Sequence, residues 1–192
     1  MARPREFDAE EAMEKAMTLF WDRGYEEASL AELLAAMEIT KGSFYKAFQD
    51  KQSIYLAALD LYNDRVVGRT VTYLTDPAEG SGRARILGLF KRIADLALKD
   101  GDRLGCFLCN ALVDRAGGDE AALKLRAMTQ RLENGMYRAL LDDGLAEEPA
   151  RGKACGLLSL YFGLRVLGRA GLSAGMAGDC LHQVELLLAR DH

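Results

Sequence analysis

Three lysines fall within eleven residues of the stretch Ile39-Thr40-Lys41-Gly42-Ser43-Phe44-Tyr45-Lys46-Ala47-Phe48-Gln49-Asp50-Lys51, and two adjacent aromatics sit among them. Cations interleaved with an aromatic ring, two hydroxyls and a glycine are the chemistry of polyanion recognition. Ammonium groups and the free N–H groups of a helix start attract phosphate, and short polar side chains reach base edges. A residue without a side chain lets a sugar-phosphate strand come close. The formal net charge is −4, and residues 1–50 carry 6 Lys/Arg against 11 Asp/Glu. Any anion-binding surface in that segment must therefore be local. Glu6, Glu10, Glu11, Glu14, Glu26 and Glu27 fall on the first predicted helix and its flanks, which can face away from phosphate.

A second feature with chemical content is Gly105-Cys106-Phe107-Leu108-Cys109-Asn110. Cys106 is expected in the first turn of a helix, where the dipole and free N–H groups favour a thiolate and hence a redox or electrophile sensor. Cys106 and Cys109 as buried structural cysteines is nevertheless the leading reading, with the sensor second. A Cys-x-x-Cys pair without further ligands argues only weakly for zinc. Elsewhere no nucleophile, base and acid stand together, and His182 and His192 fit no metal-ligand spacing. An all-α enzyme built on a cysteine nucleophile would lack its histidine partner. The sequence therefore argues against an enzyme and asks for no metal or cofactor.

Helices must position these residues. Apolar residues recur every three or four positions almost throughout, which predicts an all-α chain. Asp8 and Glu11 open a first helix with Ala12, Ala16, Leu19 and Phe20 on one face, ending at Gly24. Ser29 and Glu32 form a capping box for a helix of about two turns. Thr40 caps a third short helix carrying Phe44 and Phe48 at i, i+4, and Asp50 caps a longer fourth. Asp76-Pro77 through Gly82 is the clearest break. Further helices are expected over 83–100, 105–115, 119–143, 150–170 and 174–190, about nine in all. This divides the chain into a segment 1–50 and a larger helical body 51–192. With 192 residues, 49% of them hydrophobic, a sizeable core can form. No run is long and apolar enough for a membrane span, no secretory signal opens the chain, and four cysteines are too few for a disulfide scaffold. A cytoplasmic location is expected.

Two short helices joined by the turn Glu38-Ile39-Thr40 match helix-turn-helix spacing, in which the second helix enters the major groove. Phe44 and Phe48 would hold that helix down while Thr40, Lys41, Gly42, Ser43, Tyr45 and Lys46 face outward. Lys41, Gly42 and Ser43 are the candidates for base or near-base contact. Ser29, Thr40, Tyr45, Lys46 and Lys51 are the candidates for phosphate. Arg3 and Arg5 form a short basic arm that reaches toward a neighbouring groove, or else a frayed terminus.

The run ITKGSFYKAFQDKQSIYLAAL resembles the helix-turn-helix core of the tetracycline-repressor (TetR/AcrR) family, and LFWDRGYEEASLAELLAAM upstream is similar to it as well. The resemblance implies an all-α, homodimeric DNA-binding regulator, usually a repressor released from a palindromic operator on double-stranded DNA by a small-molecule effector. It implies an N-terminal three-helix DNA-binding domain and a helical domain that binds effector and dimerises. The chain departs from the pattern at Glu38, where Gly is usual in the turn. A ligand-binding adaptor with a weakened helix-turn-helix, or a thiol-responsive repressor using Cys106, are the alternative readings. In the larger domain, Phe90, Phe107, Asn110, Met128, Met136 and Phe162 are candidate effector-pocket residues, or plain core. Leu157, Tyr161, Leu164, Leu181, Val184 and Leu188 on the last two helices are candidates for the dimer interface, or pack within one chain.

Overall fold

The computed structural model describes residues 8–98, 104–114, 117–171 and 174–189, and these residues are helical with short connections. Helix α1 (Ala9–Glu27) starts where the Asp8 carboxylate accepts from the Glu10 and Glu11 N–H groups. It does not stop at Gly24, as the sequence suggests, but kinks there (φ 79°, ψ 173°) and resumes to Glu27. Only glycine enters that region without steric cost. Then follow α2 (Leu30–Met37), α3 (Lys41–Ala47) and α4 (Lys51–Tyr62).

Helix α4 runs without a break through a π-helical turn (Asn63–Val67) into α5 (Gly68–Thr75). The Arg131 side chain reaches the carbonyl and side-chain oxygens of Asn63 at that turn. A π turn inserts an extra residue and rotates the faces that follow it. After a 3-10 turn at Pro77–Glu79 come α6 (Gly82–Leu98), α7 (Phe107–Asp114), α8 (Gly118–Asp142), α9 (Glu147–Arg169) and α10 (Ala174–Leu188). Taking α4 and α5 as one rod, the described residues form nine helices.

Helix α1 lies along α4 and also touches α2 and α7. Helix α8 packs against the α4–α5 rod, α6, α7 and α9, while α9 and α10 pack on each other and on α6. An aromatic seam joins the first three helices to this body. Trp21 meets Tyr62 edge-on at 5.1 Å between ring centroids, Tyr62 meets Phe107 at 5.5 Å, and Phe20 meets Tyr55 at 5.1 Å. The Trp21 indole N–H donates to the Leu104 carbonyl at 2.9 Å. All four Phe/Tyr rings in these pairs are buried.

The start of α6 is locked onto α8. The buried Arg85 reaches Asp142 at 2.7 Å. A Cβ on Gly82 would lie 1.6 Å from the Ala139 carbonyl oxygen. Backbone cannot yield as a flexible side chain would, so Gly82→Ala should cost about 3 kcal/mol, at the upper end of the usual overpacking range. Denaturant unfolding measures this; a variant as stable as the parent would show that α6 and α8 do not meet in this way.

Candidate nucleic-acid interface and ligand cavity

The turn between α2 and α3 is built by the backbone. Glu38 takes the left-handed conformation (φ 57°, ψ 36°), and its N–H donates to the Leu34 and Ala35 carbonyls. The Ile39 N–H also returns to Leu34. Such a position suits glycine best, and the side chain of the glutamate that stands there reaches back to α1. Glu38 accepts from Lys15 on α1 at 2.7 Å, and Lys15 also pairs with Glu11 at 3.0 Å. That hydrogen bond holds the Glu38 carboxyl below its ordinary range. The acid in the turn is thus neutralised from α1 rather than left facing an incoming polyanion.

Helix α3 begins with the Thr40 hydroxyl oxygen accepting from the Ser43 N–H at 3.1 Å. Phe44 is fully buried, and Phe48 is half-buried with its ring 5.6 Å from that of Phe44. The opposite side is solvent-facing: Thr40, Lys41, Gly42, Tyr45 and Lys46 are exposed, and Ser43 is half-exposed. Tyr45 leans edge-on against Phe44 with 51% of its surface accessible. The segment reads outward as the spacing predicts.

Two of the expected phosphate contacts are already engaged. The Ser29 hydroxyl donates to Glu32 at 2.8 Å and accepts from the Glu32 N–H at 3.2 Å, completing the capping box. Lys51 donates to the Glu26 carbonyl at 3.3 Å and lies 4.6 Å from the Tyr25 ring centroid, so it also closes the end of α1.

A cavity of about 420 Å³ opens between the α4–α5 rod, α6 and α9, with Trp21 of α1 in its wall. Tyr62, Tyr73 and Tyr161 supply aromatic walls, and Val66, Leu89, Ile93 and Leu96 supply aliphatic ones. Arg69, Arg92 and Arg165 supply charge. Burial pushes the Tyr62 and Tyr161 phenols far above the ordinary tyrosine range, so both stay protonated donors. Cys106 is buried directly behind this wall, its Sγ 3.4 Å from the Tyr62 hydroxyl.

Residues 12–58 match the family described as bacterial regulatory proteins, tetR family. The HTH-type transcriptional repressor ComR of Escherichia coli (strain K12) is 32% identical over 154 residues, 79% of this chain and 70% of ComR. The chain belongs to the tetR family. The HTH-type transcriptional repressor NemR of the same strain is 28% identical over 176 residues, covering 87% of this chain and 86% of NemR. A cysteine-substituted form of the tetR-family regulator CifR, solved with 26-bp double-strand operator DNA, superposes with a TM-score of 0.79 at 29% identity, over 97% of this chain and 98% of CifR. The reduced form of E. coli NemR gives a TM-score of 0.82 at 23% identity, over 95% and 97% of the two chains, a likeness of fold. This tetR-family chain is a helix-turn-helix DNA-binding transcriptional regulator and not an enzyme.

Of the two readings offered for each candidate pocket residue, the packing agrees with plain core for most. Phe90, Phe107, Met128 and Met136 are buried in the general core and do not line the cavity. Asn110 donates to the Leu104 and Trp21 carbonyls, fixing the α1–α7 contact, and Phe162 packs beside Tyr161. The residues that do line it, Trp21, Arg69, Tyr73 and Arg92, carry a signal in hindsight: Tyr62, Val66, Arg69 and Tyr73 are spaced to share one face of the rod.

On the last helices, Leu157, Tyr161, Leu164, Val184 and Leu188 are buried within the single chain, and Leu181 is half-buried. The large apolar side chains turned outward there are Val166, Leu167, Met176 and Leu186, each more than two-fifths accessible, among polar neighbours such as Asp179, His182, Gln183 and Glu185. The continuous apolar stripe of each helix is the one that faces inward. Cys106 is the N-cap of α7: the helix begins at Phe107, and its first hydrogen bond runs from the Asn110 N–H to the Cys106 carbonyl. Burial pushes the Cys109 thiol up to about 11. Arg3, Arg5 and His192 lie outside the described residues. No helix among the described residues is long and apolar enough to cross a membrane.

The caps make the three-helix unit acid-sensitive. The Ser29 N–H and hydroxyl hold Glu32 below its ordinary pKa, and the Ser53 N–H and hydroxyl do the same for Asp50. Each folded pKa is thus lower than the unfolded one. The stabilisation is complete above the unfolded value near pH 4 and is lost as pH falls through the lowered value. Ser29→Ala should cost about 1 kcal/mol at neutral pH. It should also shrink the acid-dependent loss below about pH 4, read by amide exchange of α2 against pH. Unchanged α2 protection in the variant would contradict the capping account.

Proposed function

We propose that this protein is a cytoplasmic, homodimeric repressor that binds a palindromic operator and is released from it by a small-molecule effector in the α4–α5/α6/α9 cavity. The carrying observation is helix α3: Phe44 buried on one side, and Lys41, Gly42, Tyr45 and Lys46 exposed on the other. Lys41, Gly42 and Ser43 read base edges. Thr40, Tyr45 and Lys46 hold phosphates, with Ser29 and Lys51 joining once they exchange their present partners. CifR bound to 26-bp double-strand operator DNA supports the same use of the fold. Residues 1–50 form the DNA-binding unit and 51–192 the effector and dimer domain, with α4 shared between them. Few cations per chain make one copy a weak binder, so pairing through the outward faces of α9 and α10 doubles the phosphate contacts and fixes half-site spacing.

Effector control follows from the position of Trp21. It belongs to α1 of the DNA-binding unit yet walls the cavity. A ligand that moves it shifts the population toward dimers whose α3 helices are wrongly spaced for successive grooves. A second reading is favoured by the contact between Cys106 and the wall residue Tyr62: a thiol-reactive compound entering the cavity modifies Cys106 and releases DNA. Cys106→Ser separates the two, since it abolishes release by such a compound and leaves release by a non-covalent ligand intact.

Selection of binding sites from random duplex DNA tests the main reading, with an inverted repeat as the expected outcome. No enrichment would leave the adaptor reading in its place. Lys46→Ala should weaken binding about equally on all sequences and lower the salt slope by roughly 1. Lys41→Ala should cost about 1–3 kcal/mol on the selected site and relax its sequence preference. Leu186→Glu should yield monomers in sedimentation and lose operator binding; a dimeric variant would move the interface elsewhere.

A further inference from the structure

We infer that the cavity selects a small amphipathic organic anion, a carboxylate with an aromatic or branched aliphatic body, and that Arg69 and Arg92 receive its charged end. The inference rests on the effector reading of the cavity and names the chemical class that the site accepts.

The charged side chains lining the cavity among the described residues are all arginines, and no carboxylate lines it. Some cations elsewhere are paired: Arg65 with Glu10 and Glu14, Arg85 with Asp142, Lys124 with Asp60, and Lys15 with Glu11 and Glu38. Arg69 and Arg92 have no such carboxylate among the described residues, and they face a concave site whose lining holds none, so an anionic ligand there would meet positive potential from both.

The two arginines are also placed as a pair. Arg69 and Tyr73 sit one turn apart on α5, so both point to the same side. The Arg92 guanidinium stacks over the Tyr73 ring, its Cζ 3.6 Å from the centroid. Gly88, one turn before Arg92 on α6, makes room for that ring: a Cβ there would fall 2.3 Å from the Tyr73 hydroxyl. Tyr73 is thereby pinned between α5 and α6, and it orients the guanidinium stacked on it. A stacked guanidinium keeps its in-plane N–H donors free for a bidentate carboxylate.

The rest of the lining is mixed. Val66, Leu89, Ile93 and the Trp21 ring are apolar, with the Trp21 N–H committed to Leu104, while Tyr62, Tyr161 and the buried Arg165, which donates to the Gly105 carbonyl, add polar groups. The ligand's body lies against the apolar side chains and its charge at Arg69 and Arg92. A volume of about 420 Å³ suits a molecule of ten to fifteen heavy atoms.

The test uses the full-length protein and isothermal titration with a matched set: benzoate, 4-phenylbutanoate and octanoate, their primary amides, and the corresponding amines. At least one carboxylate should bind, about tenfold or more above its amide, with the amine weakest. Arg69→Gln/Arg92→Gln should lose that preference while keeping the parent melting temperature and residual affinity for the amide. Equal binding of acid and amide, binding of no carboxylate in the set, or an unchanged preference in the double variant would each overturn the inference. Operator release by the same compounds is scored separately. A carboxylate that binds as described without releasing DNA supports the anion site and refutes the effector reading. Release only by neutral or cationic compounds supports the effector reading and refutes the anion site.

Discussion

The structure depends on the aromatic seam between α1, α4 and α7. Trp21, Tyr62 and Phe107 stack edge to face, and Phe20, Tyr25 and Tyr55 continue the packing toward α2 and the start of α4. Each such pair is worth about 0.5–1.5 kcal/mol beyond the area it buries. Several in series make α1 part of the helical body instead of a tethered module. Without the seam, Phe44 would still anchor α3 on its neighbouring helices, but the orientation of α3 would be independent of anything bound in the cavity. With it, the cavity wall and the DNA-binding unit share a residue, Trp21.

Electrostatics then decides which cations remain available. The segment 1–50 is acidic, yet its carboxylates are largely spent within the protein. Glu10 and Glu14 hold Arg65, Glu11 and Glu38 hold Lys15, and Glu32 and Asp50 cap helices. Lys41 and Lys46 form no ion pair with any described residue and stand on the exposed side of α3. Net charge is therefore a poor guide to this surface, and the local pairing pattern is a good one. Arg69 and Arg92 likewise have no carboxylate partner among the described residues, and they differ from the other such cations in lining the cavity together. The pairs at the surface contribute little to stability in themselves; their effect is to fix where positive potential is left over.

Much of this was legible in the sequence because it is local. Asp8, Ser29, Thr40 and Asp50 start helices by hydrogen bonds that span two or three residues, and each does so in the structure. The outward face of α3 follows from Phe44 and Phe48 at i, i+4. Glu38 was recognisable as a residue in a glycine's place, although its pairing with Lys15, 23 positions away, was not. What was not legible is tertiary. The helical spacing of Tyr62, Val66, Arg69 and Tyr73 places them on one face of the rod, but it does not reveal that α6, α9 and Trp21 of α1 close a cavity over that face. The apolar stripes of α9 and α10 show which side is buried but not against what, and α6 and α8 of the same chain cover them. Phe90, Phe107, Met128 and Met136 are large apolar residues with no feature that separates core from cavity lining.

Hydroxyl-radical footprinting of the intact protein on its selected duplex tests the central claim most directly. Two protected patches should appear on one face of the DNA, centred about one helical turn apart, and should vanish together when Lys41 and Lys46 are both replaced by alanine. A single patch, or two patches that persist in the double variant, would contradict a dimer reading successive major grooves with the exposed side of α3.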